Sequence, residues 1–311
     1  MVKKSLLMAL LLCMLIASSL AQSHSGYLPQ RVYHSDDKRF SDFEAMLADL
    51  SRADVVFVGE QHEDMATHRF ELAILEGLAR RGRTVIVAME MFERDTQQAL
   101  DDYLANKISE EEFLKQSRPW GNYATDYRPL VEFAKAKGWR VVAGNVPRRY
   151  ASQVARGGLA VIDKLPEKER VYVAKEISDA KDDYFKKFSE TMSGHQAASD
   201  DKKLVGEEAA MMQRIYQAQV VKDDTMAESI ATAYANAPDP KPLIVHFNGA
   251  FHSDSRLGTA SRTVKRLPKA RVKVVSVVPA EDFDAIKADD FRKRGDYVLF
   301  VFKHPKAKKE K

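Results

Sequence analysis

An α/β fold, with a mostly parallel sheet flanked by helices and an inserted helical subdomain, follows from three features of the sequence. Short apolar runs rich in β-branched residues recur along the chain, amphipathic stretches separate the early ones, and one interval between runs is far too long for a simple crossover.

The runs are Val55 to Val58, Val85 to Ala88, Arg140 to Ala143, Leu243 to Phe247 and Val272 to Val278. Each is continuous rather than alternating, as expected of a strand covered on both faces. A sixth, Tyr297 to Phe302, predicts an edge strand. Between the first two runs Phe70, Ile74 and Leu78 repeat every four residues, and Arg80-Arg81-Gly82 supplies a cationic last turn and a glycine stop. Leu130, Phe133 and Ala134, followed by Gly138, predict the helix leading into the third strand.

The third and fourth strands are separated by about 100 residues, against the ~4–6 of a typical connection. This interval reads as a helical insertion over about 150–236 within an α/β domain of 22–285. Its last helix, Glu207 to Ala235, places Met211, Ile215, Ala218, Met226, Ile230 and Tyr234 on one broad apolar face. Asn236-Ala237-Pro238-Asp239-Pro240 ends it. A smaller insertion, Arg94 to Tyr123, follows the second strand, and 286–311 holds the edge strand and a basic tail.

The chain opens with Lys3 and Lys4, an apolar run from Leu6 to Ala17, and Ser19 and Ala21 as small residues at a cleavage site. This predicts a signal peptide over 1–21 and a periplasmic or secreted mature protein. The run is shorter than the ~20 apolar residues of a spanning helix. The one cysteine, Cys13, follows Leu12, where a lipidation site would carry a small residue, so no lipoprotein anchor is expected. The mature chain then has no cysteine for a disulfide, a thiolate metal site or a nucleophile. Lysines and arginines alternate with acids except in the tail Lys303 to Lys311, which argues against a nucleic-acid partner.

In a parallel sheet, ligands bind beyond the carboxyl ends of the strands. The first strand runs into Gly59-Glu60-Gln61-His62, the second into Glu90, the third into Asn145-Val146-Pro147-Arg148, and the fourth contains His246 and runs into Asn248-Gly249-Ala250-Phe251-His252. Each glycine suits a tight turn and close backbone approach, and a histidine follows three residues on. His62, His246, His252 and Glu90 are candidate ligands for a divalent metal. Alternatively Glu60, His62, Glu90 and His252 serve as acids and bases around a water. The plain reading of any one of them is a hydrogen-bonded structural residue, and His246, inside a strand, suits a core histidine equally well. Asp223 and Asp224 either interrupt a solvated helix face or face the cleft. Met192 to His195 reads as a loop tip, Trp120, Tyr123 and Tyr127 as packing aromatics, and His24, His34, His68 and His304 carry no assignment. No G-x-G-x-x-G, phosphate loop or G-x-S-x-G elbow is present, which disfavours dinucleotide enzymes, nucleotide hydrolases and serine esterases.

Six segments carry a family resemblance: Val-Phe-Val-Gly-Glu-Gln-His (56 to 62), Ala-Met-Glu-Met-Phe (88 to 92), Trp120 with Tyr127-Arg-Pro, Gly-Asn-Val-Pro-Arg (144 to 148), Ala218-Gln219 with Asp224-Thr-Met-Ala, and His-Phe-Asn-Gly-Ala-Phe-His-Ser-Asp (246 to 254). In this order, over about residues 40 to 280, they resemble the ChaN-like family of haem-binding uptake proteins. The resemblance implies an envelope protein of bacterial iron acquisition that works with an uptake component and binds haem through a tyrosine, with a homodimer interface as the place of binding. Tyr127 is the tyrosine that matches a family motif, while Tyr123, Tyr150 and Tyr184 stay open by position. Arg148 and Arg149 are candidates to pair with the propionates, and His195 is a further candidate haem contact. The wider group includes Tiki-type metalloproteases and erythromycin-esterase-like hydrolases, which share the G-E-x-H start, so a metal-dependent hydrolase is the second expectation.

Overall fold

The computed structural model describes residues 29–196 and 206–303; the expected signal peptide with Cys13 and the tail beyond Lys303 lie outside the described residues. An eight-stranded sheet runs through the fold in the order β2-β1-β8-β7-β3-β6-β4-β5. The strands are β1 Gln30–His34, β2 Arg39–Ser41, β3 Val55–Glu60, β4 Val85–Glu93, β5 Val141–Asn145, β6 Leu243–Gly249, β7 Val272–Ala280 and β8 Tyr297–Phe302. From β8 to β5 every pairing is parallel, and the β1–β2 hairpin joins antiparallel to β8.

The run Tyr297 to Phe302 therefore lies inside the sheet and not at its edge. The β1–β2 hairpin, which the sequence reading did not identify, pairs with it, and Val298 to Val301 are buried. A continuous apolar run signals burial on both faces but says nothing about which strand covers its flank.

Helices cover both faces, and the alternation along each strand decides which. Val56 and Val58, Val85 and Val87, and Val245 and Phe247 face one cluster. It is shared with α1 (Phe43–Leu50), α2 (Met65–Arg80) and α5 (Arg128–Ala136). Val55 and Phe57, Ile86 and Ala88, and Ile244 face the other. There they meet Ile230 and Ala233 of the long helix Glu207–Ala235 and Ala260 of the helix Gly258–Arg266. The α2 register follows from Phe70, Ile74 and Leu78, all buried, and from Asp64, whose side chain caps the helix by accepting from the Thr67 amide at 3.0 Å.

The smaller insertion holds α3 (Gln97–Leu104), α4 (Glu110–Ser117) and a turn of π-helix, Tyr123–Tyr127. Between β5 and β6 the chain forms α6 (Arg148–Gly157), α7 (Glu167–Arg170), α8 (Asp183–Gln196) and α9 (Glu207–Ala235); Gly258–Arg266 is α10. Met192 to His195 lie on α8 and not in a loop tip. On α9 the expected apolar face is only partly right. Ala218, Met226 and Ile230 are buried, but Met211 is 56% exposed, and Met212, Tyr216, Val220 and Val221 take the buried positions of the first half. The C-terminal half of α9 lies against the sheet and the other half under α8 and α6, so one helical stripe cannot describe both environments. Among the described residues no helix is long and apolar enough to cross a membrane.

Phe247, fully buried on β6, packs the first cluster directly behind the strand end. Phe247→Ala is expected to cost about 3–5 kcal/mol of unfolding free energy, read as a lowered urea midpoint at unchanged slope.

Candidate functional site

The chain builds β3, β4 and β5 outward, then returns to lay β6 between β3 and β4. Gly59 pairs with Asn248 and Glu60 with Gly249, so the two Gly-x-x-His turns leave the sheet side by side. Glu90 arrives from β4 where the register to β5 shifts, between Met89 and Glu93. Its Oε2 accepts the Gly249 amide at 2.8 Å. A Cβ on Gly249 would stand 2.6 Å from Nε2 of His62, so the glycine is what lets that ring lie over the β6 backbone.

His62 Nδ1 lies 2.5 Å from Glu60 Oε1, which also accepts the Tyr127 hydroxyl at 2.7 Å. Trp120 packs edge-on against the His62 ring at 4.9 Å, and the Asn122 side chain donates to the His62 carbonyl at 3.2 Å. Burial opposes a charge on His62, but the hydrogen bond to Glu60, helped by the charge of Glu90, raises its pKa.

His252 is held from both sides. Nδ1 is 2.7 Å from Asp223 Oδ1 and Nε2 is 3.2 Å from Glu90 Oε1. Asp223 is itself fixed by Thr259 and by Tyr184, each at 2.8 Å. Burial alone would lower the His252 pKa; the charges of Glu90 and then Asp223 outweigh it and push it up to about 10. Burial likewise works against ionisation of Glu90 and Asp223, and the His252 charge holds both carboxyls below their usual range.

Behind Glu60 lies a second buried group. His68 Nδ1 is 2.9 Å from Glu71 Oε2 and 3.7 Å from Glu60 Oε2, while Nε2 faces the His62 carbonyl at 3.2 Å and Asp126 Oδ2 at 3.5 Å. Burial and then the Glu60 charge raise the Glu71 pKa well above the carboxylate range.

Two clefts open on these groups. The larger, about 1240 Å³, is bounded by His62, Trp120, Asp126, Arg118, Arg148 and Arg149. The smaller, about 370 Å³, has Glu60, His62 and His252 on its floor and Phe188, Met192 and Phe251 above. His62 borders both.

The structure thus brings Glu60, His62, Glu90 and His252 together, as the strand-end argument expected. It does not bring His246 to them. That side chain follows Ile244 on the opposite side of β6 from Val245 and Phe247 and is fully buried, with the Ala88 backbone of β4 beside its ring. Burial lowers its pKa to about 4, as for a neutral core histidine. Among the described residues the donor atoms close enough to share a metal are those of Glu60, His68 and Glu71, and not those of His62, Glu90, His246 and His252.

Tyr127 is fully buried with its hydroxyl on Glu60, and burial together with that charge pushes its pKa far up. Neither it nor Tyr123, Tyr150 or Tyr184 lines either of these two clefts. Arg148 and Arg149 do border the larger cleft; Arg149 pairs with Asp95 at 2.6 Å. The His195 side chain lies outside the described residues. Asp223 and Asp224 are both buried, the first on His252 and the second between Arg262 and Arg266. Sequence reading gave no role to His68, Glu71 or Asn122, and quoted Gln219 only within a family motif. The one available signal was His-x-x-Glu on the helix after the first turn, which aligns two polar side chains on an otherwise apolar face.

A histidine with a raised folded pKa stabilises the fold fully below its unfolded value, ~6.5, and that contribution disappears as pH rises through the folded value. For His252 the window runs up to about 10. Ring nitrogen chemical shifts should therefore report a charged His252 at pH 8, and a neutral ring there would contradict the two-carboxylate clamp.

A protein-family model described as haem-binding uptake, Tiki superfamily, ChaN matches residues 46–263. The structure of ChaN of Campylobacter jejuni with cofacially bound haem superposes with a TM-score of 0.63, at 17% identity, covering 88% of this chain and 96% of that one. RRSP, a MARTX toxin effector domain from Vibrio vulnificus, gives 0.40 at 17% identity over 85% of this chain and 38% of that one. An erythromycin esterase gives 0.45 at 12% identity over 89% of this chain and 83% of that one. At these last two scores neither likeness bears on function. No curated protein matches the sequence. The shared fold, and a family match that spans well over half of the sequence, make this chain a member of the haem-binding uptake family of the Tiki superfamily, the family of ChaN.

Proposed function

We propose that this protein is an exported haem-binding protein of bacterial iron uptake and that the larger cleft receives the haem. A haem site needs an axial donor, an apolar wall for the macrocycle and cations for the propionates. The observation that carries the reading is one 1240 Å³ cleft offering all three: the His62 imidazole, the side chains of Trp120 and Pro119, and Arg148 beside Arg118 and Arg149, which pair with Glu93 and Asp95. Arg148 forms no ion pair among the described residues, which leaves its guanidinium for a carboxylate. His62 has Nδ1 on a carboxylate, the arrangement that orients a ligating imidazole and raises its basicity. It replaces Tyr127 as the candidate iron ligand. Bound iron would supply the redox and ligand-exchange chemistry of haem; the chain's part is to seat, orient and shield it. A second copy of this chain and an uptake component of the envelope are the partners of this reading.

Titrating the purified protein with haem should give a Soret band with affinity at or below micromolar. His62→Ala should shift the band and weaken binding at least ~10-fold, as losing a ligand or its support does, and Tyr127→Phe should leave the spectrum unchanged. No Soret perturbation with excess haem would reject the proposal.

The smaller cleft supports a second reading, hydrolysis. Asp223, His252 and Glu90 form a charged chain ending at the same 370 Å³ cavity as Glu60 and His62. The two histidines would act there as acid and base on a water, and a divalent metal would enter only if their donor atoms drew together. Hydrolysis of an ester or peptide panel that stops in His252→Ala while haem binding persists would support it; activity unchanged by that substitution would exclude these residues.

A further inference from the structure

We propose that Glu60, His68 and Glu71 form a buried binding site for one divalent cation of the zinc or manganese class, with Glu60 shared with the floor of the smaller cleft. One donor atom from each lies within 4.8 Å of the other two, and all three residues are buried.

Two independent features point to an occupant. First, Glu60 Oε2 and Glu71 Oε1 are buried with no hydrogen-bond donor. Glu60 Oε1 already takes both His62 and Tyr127, so the second oxygen is the one turned to the cluster. Second, both nitrogens of His68 face acceptors. Nε2 has the His62 carbonyl at 3.2 Å and the Asp126 carboxylate at 3.5 Å, two acceptors that hold the proton on that nitrogen once a cation takes Nδ1. Nδ1 lies 2.9 Å from Glu71 and 3.7 Å from Glu60, the position of a third ligand. Either a proton or a metal ion joins these groups across so short a gap.

No lysine or arginine among the described residues pairs with Glu60, Glu71 or Asp126. Adjacent buried carboxylates are costly unless a shared proton, a charge on His68 or a metal ion relieves them. The ligand set favours the metal. One imidazole with two carboxylates suits zinc or manganese. The second ring nitrogen donating to a carbonyl and a carboxylate is the support metal-bound histidines have. Asp126, which borders the larger cleft, marks the route in. A cation here would fix the Glu60 carboxylate and, through it, both His62 and Tyr127. The inference does not depend on haem, because the metal is measured in haem-free protein.

The experiment is elemental analysis of the purified protein, followed by chelator treatment and calorimetric titration with zinc or manganese alone. About one equivalent should bind at micromolar affinity or tighter. Glu71→Gln, which keeps the shape and a hydrogen bond, should weaken it by at least ~10-fold. His68→Gln provides a second variant if the first does not fold, and in the wild type zinc should displace the His68 ring resonances. Wild-type protein that takes up neither metal would overturn the proposal in favour of a shared proton. Stoichiometric metal that survives either substitution would also overturn it, by placing the ion elsewhere.

Discussion

The site rests on one packing constraint, the return of β6 into the gap between β3 and β4. That topology sets Glu60 beside Gly249 in the ladder and brings the two Gly-x-x-His turns out of neighbouring strands. Because Gly249 has no Cβ, the His62 ring can lie over it; because Glu90 accepts the Gly249 amide, the carboxylate is anchored to the same turn. A parallel sheet with any other strand in that gap would move the two turns apart by at least one further strand spacing, ~4.8 Å, and would leave Glu90 without its backbone donor.

Charge in this buried region is held by pairing. His252 sits between Asp223 and Glu90, and each carboxylate is in turn fixed, Asp223 by Thr259 and Tyr184 and Glu90 by Gly249. Removing one member of such a set leaves a buried charge with no partner, which is why these groups stand or fall together. The same logic organises Glu60, which serves His62 and Tyr127 in front and faces His68 and Glu71 behind. Since Tyr184 belongs to α8, the helical layer above the smaller cleft is bonded to the very carboxylate that orients His252.

The two insertions divide the surroundings between them. The stretch after β4 brings Trp120, Asn122 and the π-turn with Tyr127 against His62, and so forms the wall of the larger cleft. The stretch after β5 brings α8 and α9 over His252 and closes the smaller one. Arg94, at the start of the first insertion, bonds the Thr225 carbonyl and Ser229 on α9 and ties the two walls together. One histidine reached from both sides makes the two cavities neighbours rather than independent sites.

The sequence alone determined the α/β class, the strands at Val55, Val85, Arg140, Leu243 and Val272, and the gathering of Glu60, His62, Glu90 and His252, because continuous apolar runs and strand-end glycines are local signals. Only the tertiary structure decided what lies opposite each polar group. It moved Tyr297 to Phe302 from the edge to the interior, because a strand's flank is set by a hairpin far away in sequence. It turned His246 to the core face through the two-residue period of β6. It also buried Tyr127 on Glu60 and joined His68 and Glu71 to them, contacts of a helix with a strand end that no spacing in the chain encodes.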